Sequence, residues 1–349
     1  MTGHLAIVGG SAWVASLLLS WAVLRYAIGE ALLDLPNERS SHTTPTPRGG
    51  GLAIVLVILG GLAILAATGE IDGPTGAALV GGGGLIAVVG WMDDRRHLPA
   101  VVRFACQIIA AVWAVAWLGG MPTLTYGSGS AHVGAAGAVI ATLAIVWAIN
   151  FYNFMDGIDG LAAGEAATAG LAATLLLASR HSPLAGAAVL IAGAAAGFLP
   201  WNWERARIFM GDVGSGFLGF VFAALALASE NSGAMPTLVW LLLLAVFFVD
   251  ATVTLFRRIF RREDWYAAHR AHAYQRAVQG GWSHAKVVSA VLLLNLLLAV
   301  LAWVAIRSPD RLPVMLLLAG VLLGGLYLAV ERWRPMVQWP RSAMEKPVP

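Results

Sequence analysis

The sequence predicts an all-α, polytopic integral membrane helix bundle of about eleven transmembrane helices, and three observations predict it. The 349 residues are 59% hydrophobic and 12% charged, with a mean hydropathy of +0.76; a water-soluble domain carries about 25% charged residues. Apolar runs near the roughly 20 residues that a bilayer crossing requires recur from end to end. Basic residues fall in every second loop, as cytoplasmic loops of membrane proteins require.

The runs read in order as follows. The first, 5–27, lacks a basic start and is followed by a polar, arginine-bearing loop, which marks an uncleaved anchor rather than a signal peptide. The second covers 50–68, after three glycines. The third, 76–91, is diluted by Gly81 to Gly84, and the fourth covers 101–118. The fifth, 135–152, runs into polar Asn150 and Asn153. The sixth to eighth are 161–178, 184–200 and 214–229. The ninth, 237–256, contains Asp250 two turns from its inner end, and an intramembrane carboxylate is a functional candidate unless an arginine pairs with it. The last two are 286–305 and 312–330. Residues 1–335 make one polytopic domain and 336–349 a cytoplasmic tail.

Loops after odd-numbered spans, with the tail, hold 19 of the 22 Lys and Arg; Arg180, Arg307 and Arg311 lie opposite. This places the N-terminus outside and the C-terminus inside. The single cysteine, Cys106, excludes an intramolecular disulfide framework. The 40 glycines suit close helix packing in lipid. A net charge of +3 does not point to nucleic acid.

Five polar clusters fall on the inner side. In the segment from Leu35 to Gly51, prolines stop a helix, Gly49 to Gly51 allow backbone amides to approach an anion, and Arg39 and Arg48 suit phosphate. Asp93 and Asp94 point about 100° apart on a helix and so need separate partners. Arg95 and Arg96 stand next in sequence as the ordinary ones. Asn150, Asn153, Asp156 and Asp159 step by three, with Gly157 and Gly160 bending the chain; their hard oxygens suit Mg²⁺. Asp212 opens the eighth span between glycines, where it can hold a metal while free helix amides receive phosphate oxygens. Trp201 and Trp203 read as interface aromatics. His269 and His272, with Arg270 and Arg276, suit an anion better than zinc, because the other candidate ligands are hard oxygens. Arg257, Arg258, Arg261 and Arg262 read as headgroup contacts.

Carboxylates, arginines, histidines and glycine loops on one face suit a diphosphate handled with Mg²⁺. No Walker loop, nucleophile elbow or His-Glu-x-x-His motif occurs. A cation- or proton-coupled transporter is the alternative from another class. Its site belongs near the bilayer midplane, often between inverted repeats, whereas here the polar groups gather at one face.

Asp93-Asp94, the Asn153 to Gly160 stretch, the Phe209 to Ser215 stretch and the His269 to His272 cluster together resemble the polyprenyl-phosphate N-acetylhexosamine-1-phosphate transferases, glycosyltransferase family 4. They occur in the family's order across residues 34–276. The arginine-rich first loop and the His-Arg-Ala-His-Ala-Tyr-Gln string look closest to the branch that initiates O-antigen and related surface glycans. The resemblance implies Mg²⁺-dependent transfer (Mn²⁺ as a substitute) of N-acetylhexosamine-1-phosphate from a UDP-N-acetylhexosamine to undecaprenyl phosphate. UMP is released at the cytoplasmic face of a bacterial inner membrane. It implies Asp212 and Asn153 as metal ligands, with Asp156 close by. Asp93 accepts or orients the lipid phosphate's proton and Asp94 supports the metal or a basic neighbour. Asn202, Phe209 and Asp159 hold the uridine. His269, Arg270 and His272 grip the diphosphate or sugar, and Arg48 contacts the lipid phosphate. Sugar choice falls to the 269–282 region. The bilayer is a partner, a homodimer is compatible, and nucleic acid is not expected.

Overall fold

A computed structural model describes residues 2–36, 44–263 and 269–336. Arg39 and its neighbours in the first loop, and nearly all of the expected tail, lie outside the described residues. The chain is almost entirely helical, and each expected span has a helical counterpart. They are α1 (Thr2–Gly29), α2 (Gly51–Ala67), α3 with α4 (Gly73–Ala77 and Gly83–Arg96), α5 (Ala100–Leu118), α6 (Gly134–Phe154), α7 (Leu161–Ser179), α8 (Leu184–Asn202), α9 (Asp212–Asn231), α10 with α11 (Thr237–Leu243 and Ala245–Phe260), α13 (His284–Arg307) and α14 (Leu312–Trp333). Nine of these spans are each long and apolar enough to cross a membrane as one helix. α2 is shorter, at 17 residues. This is a multi-pass membrane protein.

α9 is the most enclosed span: α4 and α6 pack on it, while α1 and α7 both pack on α8. Large apolar side chains point outward from the periphery, among them Leu18, Ile64, Val101, Leu143 and Val321. In lipid that is the solvated face, since hydrocarbon gives helices no reason to hide leucine. Small residues set the inner contacts. A Cβ on Gly51 would sit 2.4 Å from the Gly214 Cα, so α2 and α9 cross backbone to backbone.

Three features depart from the sequence reading. The third span is continuous over 73–96, but a π-helical turn, Ala78–Gly82, joins α3 to α4. Gly82 there leaves room for the Phe220 ring, which a Cβ would meet at 2.3 Å. The ninth span is not one helix: α10 and α11 meet at 85° around Leu244, with no proline or glycine to announce the break. Two short antiparallel hairpins also occur. β1 (Leu33–Asp34) pairs with β2 (Thr46–Pro47) at the base of the first loop, and β3 (Thr123–Tyr126) pairs with β4 (Gly129–His132) between α5 and α6.

Asn295 on α13 donates to Glu165 Oε2 (2.7 Å) and Thr168 Oγ1 (2.9 Å), which ties α13 to α7 inside the bundle. The last helical element, α12 (Ala273–Gln279), is short and lies at the same end as the inner ends of α4 and α6.

Candidate functional site

The centre of the site is the N-terminus of α9. Gly211 precedes it with φ 75°, a conformation that favours glycine. A Cβ at this position would also meet Asp94 Oδ2 at 2.6 Å. Through that opening Asp94 accepts the Asp212 N–H (2.9 Å) on Oδ1 and the Val213 N–H (3.1 Å) on Oδ2. The next two amides, of Gly214 and Ser215, turn back to the Gly211 carbonyl. The amides expected to receive phosphate are therefore already occupied, by protein. The same holds in the glycine loop: the Gly50 and Gly51 N–H groups donate to the Phe209 and Met210 carbonyls, both at 2.8 Å. The loop is stitched to residues 209 and 210 by two of its three glycine amides.

Around Asp94 the other groups assemble. Arg48 Nε donates to Asp94 Oδ1 at 2.7 Å, and its Nη2 lies 3.8 Å from Asp212 Oδ1. Burial opposes the charge on Arg48, but Asp94, Asp212 and Asp34 more than reverse this and raise it above its ordinary value. Asp93 points elsewhere, as the 100° offset requires. Its Oδ1 accepts the Leu98 N–H (2.6 Å) and its Oδ2 the Arg103 Nη1 (2.6 Å), while the same Arg103 nitrogen is 3.7 Å from Asp212 Oδ2. Arg95 pairs with neither aspartate. It stacks over Trp91 and donates to the Tyr26 hydroxyl.

Asn153, on the last turn of α6, donates from Nδ2 to Asp212 Oδ1 (2.8 Å) and Ser215 Oγ (2.9 Å), so its carbonyl oxygen is the atom left for a ligand. Asn150, one turn earlier, is a tie between helices: it donates to Gln107 on α5 at 2.8 Å. Asp156 follows where α6 has ended. Burial, then the Asp212 and Asp94 carboxylates, push its carboxyl well above the usual range. Four carboxylates thus face two guanidinium groups, Arg48 and Arg103.

Asp159, Asn202 and Phe209 form an adjoining wall. Asn202 is buried and both ends of its amide are in use, Oδ1 accepting the Gly160 N–H and Nδ2 donating to the Ile208 carbonyl, both at 3.0 Å. It builds the wall rather than lining it. Asp159 Oδ2 accepts the Ala206 N–H at 3.1 Å. The Phe209 backbone pairs with Pro47 and Gly50, and its ring is half-buried. Trp201 donates to the Leu17 carbonyl, and Trp203 packs on Gly160.

The histidine segment docks on the end of α6. Tyr274 donates to the Phe154 carbonyl (3.0 Å), and burial, then Asp250 and Asp156, keep its hydroxyl protonated. Gly157 is obligatory beneath it, since a Cβ would lie 2.1 Å from the Tyr274 oxygen. Asp250 is accounted for without arginine. It accepts the Ala273 and Tyr274 amides at 2.8 and 3.1 Å, capping α12 as Asp94 caps α9. His272 is buried with Nδ1 3.4 Å from Asp250, and its ring lies between those of His269 and Tyr274. Burial, then His272 and Arg258, push His269 down to about 2, so it is neutral. Its Nδ1 accepts the Ala271 N–H, which places its proton on Nε2. The Arg270 carbonyl holds Gln279. Most of the supposed headgroup arginines are tied inward. Arg257 forms a two-pronged bond to Glu331 (2.6 and 2.7 Å), Arg258 is buried against Glu263, and Arg261 donates to the Met336 carbonyl.

The sequence reading missed Arg103, Tyr274 as a docking group, and His284 beside Asp159. Arg103 did carry a signal: it is a lone basic residue in the first turn of a helix whose neighbours Val101 and Phe104 face outward.

Residues 77–230 match the profile of Glycosyl transferase family 4. The chain is 34% identical to a decaprenyl-phosphate N-acetylglucosaminephosphotransferase of Mycobacterium tuberculosis (strain CDC 1551), covering 93% of this chain and 87% of that one. It is 31% identical to a phospho-N-acetylmuramoyl-pentapeptide-transferase of Synechococcus sp. (84% and 88% covered). It is also 27% identical to an undecaprenyl-phosphate alpha-N-acetylglucosaminyl 1-phosphate transferase of Yersinia pestis (91% and 90% covered).

Proposed function

Because the chain belongs to glycosyl transferase family 4, the polyprenyl-phosphate hexosamine-1-phosphate transferases, we propose that it moves N-acetylhexosamine-1-phosphate from a UDP-sugar to undecaprenyl phosphate. UDP-N-acetylglucosamine is the first donor to test, given the names of the mycobacterial and Yersinia relatives. The observation that carries the reading is the junction of Arg48, Asp93, Asp94, Arg103, Asn153 and Asp212, drawn from the first loop and α4, α5, α6 and α9. A phosphate oxygen of the lipid attacks the β-phosphorus, the bond from that phosphorus to the bridging oxygen breaks, and UMP leaves. The product is a polyprenyl diphosphate sugar that starts a surface glycan.

A divalent cation fits the residues present. Four carboxylates exceed two guanidinium groups, and burial, then the Asp212 and Asp94 carboxylates, raise the Asp156 carboxyl well above its ordinary value. Among the described residues no three acidic, histidine or cysteine side chains form a closed cage. Mg²⁺ does not need one, since it takes one or two carboxylates and leaves positions for phosphate oxygens and water. Asp212 and the Asn153 carbonyl would hold it, with Asp156 alongside, and it would supply charge neutralisation at the phosphates. Arg103, bonded to Asp93 and close to Asp212, is placed to exchange a carboxylate for an incoming phosphate. Asp94 acts by holding Arg48 and the start of α9 in register. His269, neutral, donates one N–H and brings no charge. The charge excess of the basic loops supports a cytoplasmic site in a bacterial inner membrane.

Purified protein given Mg²⁺, UDP-N-acetylglucosamine and undecaprenyl phosphate should release UMP and form a lipid of the corresponding mass. No UMP from a panel of UDP-sugars would return weight to transport.

A further inference from the structure

His284 opens α13 and has no part in the chemistry above. Its Nδ1 lies 3.2 Å from Asp159 Oδ2 and 3.4 Å from the Asp159 amide nitrogen. One ring nitrogen cannot donate to the first and accept from the second. The Asp159 N–H has hydrogen-bond geometry to Nδ1, so Nδ1 accepts there and the ring proton sits on Nε2. Asp159 Oδ2 also takes the Ala206 N–H at 3.1 Å. The carboxylate is therefore held at Oδ2 by Ala206 and the backbone by His284, and Oδ1 has no protein partner among the described residues.

The neighbouring residue extends the grip. The Ala285 N–H donates to Glu204 Oε2 at 2.9 Å, and the Ser283 hydroxyl caps the Lys286 N–H. The start of α13 thus holds both Asp159 and Glu204, the latter in the loop that runs from Asn202 at the end of α8 to Phe209. α13 is itself fixed to α7 through Asn295 and Glu165. We propose that His284 is a positioning residue that presents Asp159 Oδ1 to an N–H or O–H donor of the donor substrate's nucleoside. This rests on the transfer reaction proposed above and names a determinant of its donor site.

The test measures UMP release by the full-length protein in detergent, varying UDP-N-acetylglucosamine and undecaprenyl phosphate in turn. His284→Ala should raise the KM for the UDP-sugar about tenfold, the value of one hydrogen bond. The KM for the lipid should stay within about twofold. His284→Asn, whose amide oxygen can stand in for the accepting Nδ1, should recover most of the loss, and His284→Gln should not. Unchanged donor KM in His284→Ala, an equal rise in both KM values, or Asn no better than Gln would each overturn the inference. If His284→Ala does not purify as a monodisperse species, the Asn and Gln pair decides alone. Wild-type protein that releases no UMP refutes the underlying reaction instead, so the two failures are distinguishable.

Discussion

Asp212 and Asp93 share a guanidinium group, Arg103, although 119 positions separate them in the chain. Asp212→Asn and Asp93→Asn should each lower turnover by about 10²–10³-fold or more, the scale of losing one preorganised charge at a transition state. Near-normal UMP release from either variant, with both purifying intact, refutes the site. Arg103→Ala should behave likewise, whereas Arg103→Lys should recover little because one ammonium cannot reach both carboxylates in the same way. Asp156 makes a pH prediction. Its folded value lies above the ordinary 3.8 of the unfolded chain, so the folded state binds the proton more tightly. That contribution to stability is present below 3.8 and fades as pH rises through the folded value. Thermal stability in metal-free detergent should therefore decline as pH rises above 3.8 through that window, with a shallower slope in Asp156→Asn or with Mg²⁺ present. An identical slope in all three samples contradicts the acidic excess.

At the scale of elements, the spans were legible because hydropathy acts over about 20 residues and tolerates local error. The break at Leu244 was not legible, because no proline or glycine causes it. Asp250 on α11 caps α12, and Arg257 and Arg276 converge on Glu331 of α14, contacts between segments 55 to 74 residues apart that no local pattern encodes. The arginine run from 257 was misread for the same reason: its carboxylate partner lies two helices away. Glu331→Ala leaves buried Arg276 without its counter-charge. Removing one partner of such a pair costs about 2–3 kcal/mol after allowing for the partial exposure of Glu331. Thermal unfolding should fall by several degrees while the KM for the donor stays near wild type; an unchanged midpoint removes the clamp. The site's residue types were legible as clusters of aspartate, asparagine and arginine. Which of their atoms already serve the protein was not: Asn202 and the amides of Gly50 and Gly51 are consumed internally.

For the molecule as a whole, the junction is formed by the C-terminal ends of α4 and α6 and the N-terminal end of α9, as alternating spans require. The proposed topology, with the basic loops inside, puts that end in the cytoplasm. A fluorescent protein fused after residue 336 should fold and fluoresce, and an alkaline phosphatase fused there should be inactive; the reverse pair inverts the topology.

The N-termini of α9 and α12 are each stoppered by a carboxylate from another helix, Asp94 and Asp250. An oxyanion arriving alone meets a closed socket with negative charge in it. On the proposed reaction, free sulfate or orthophosphate is thereby discouraged from occupying the donor's place. Admission goes to a guest that brings its own positive escort or can lure an arginine from its aspartate.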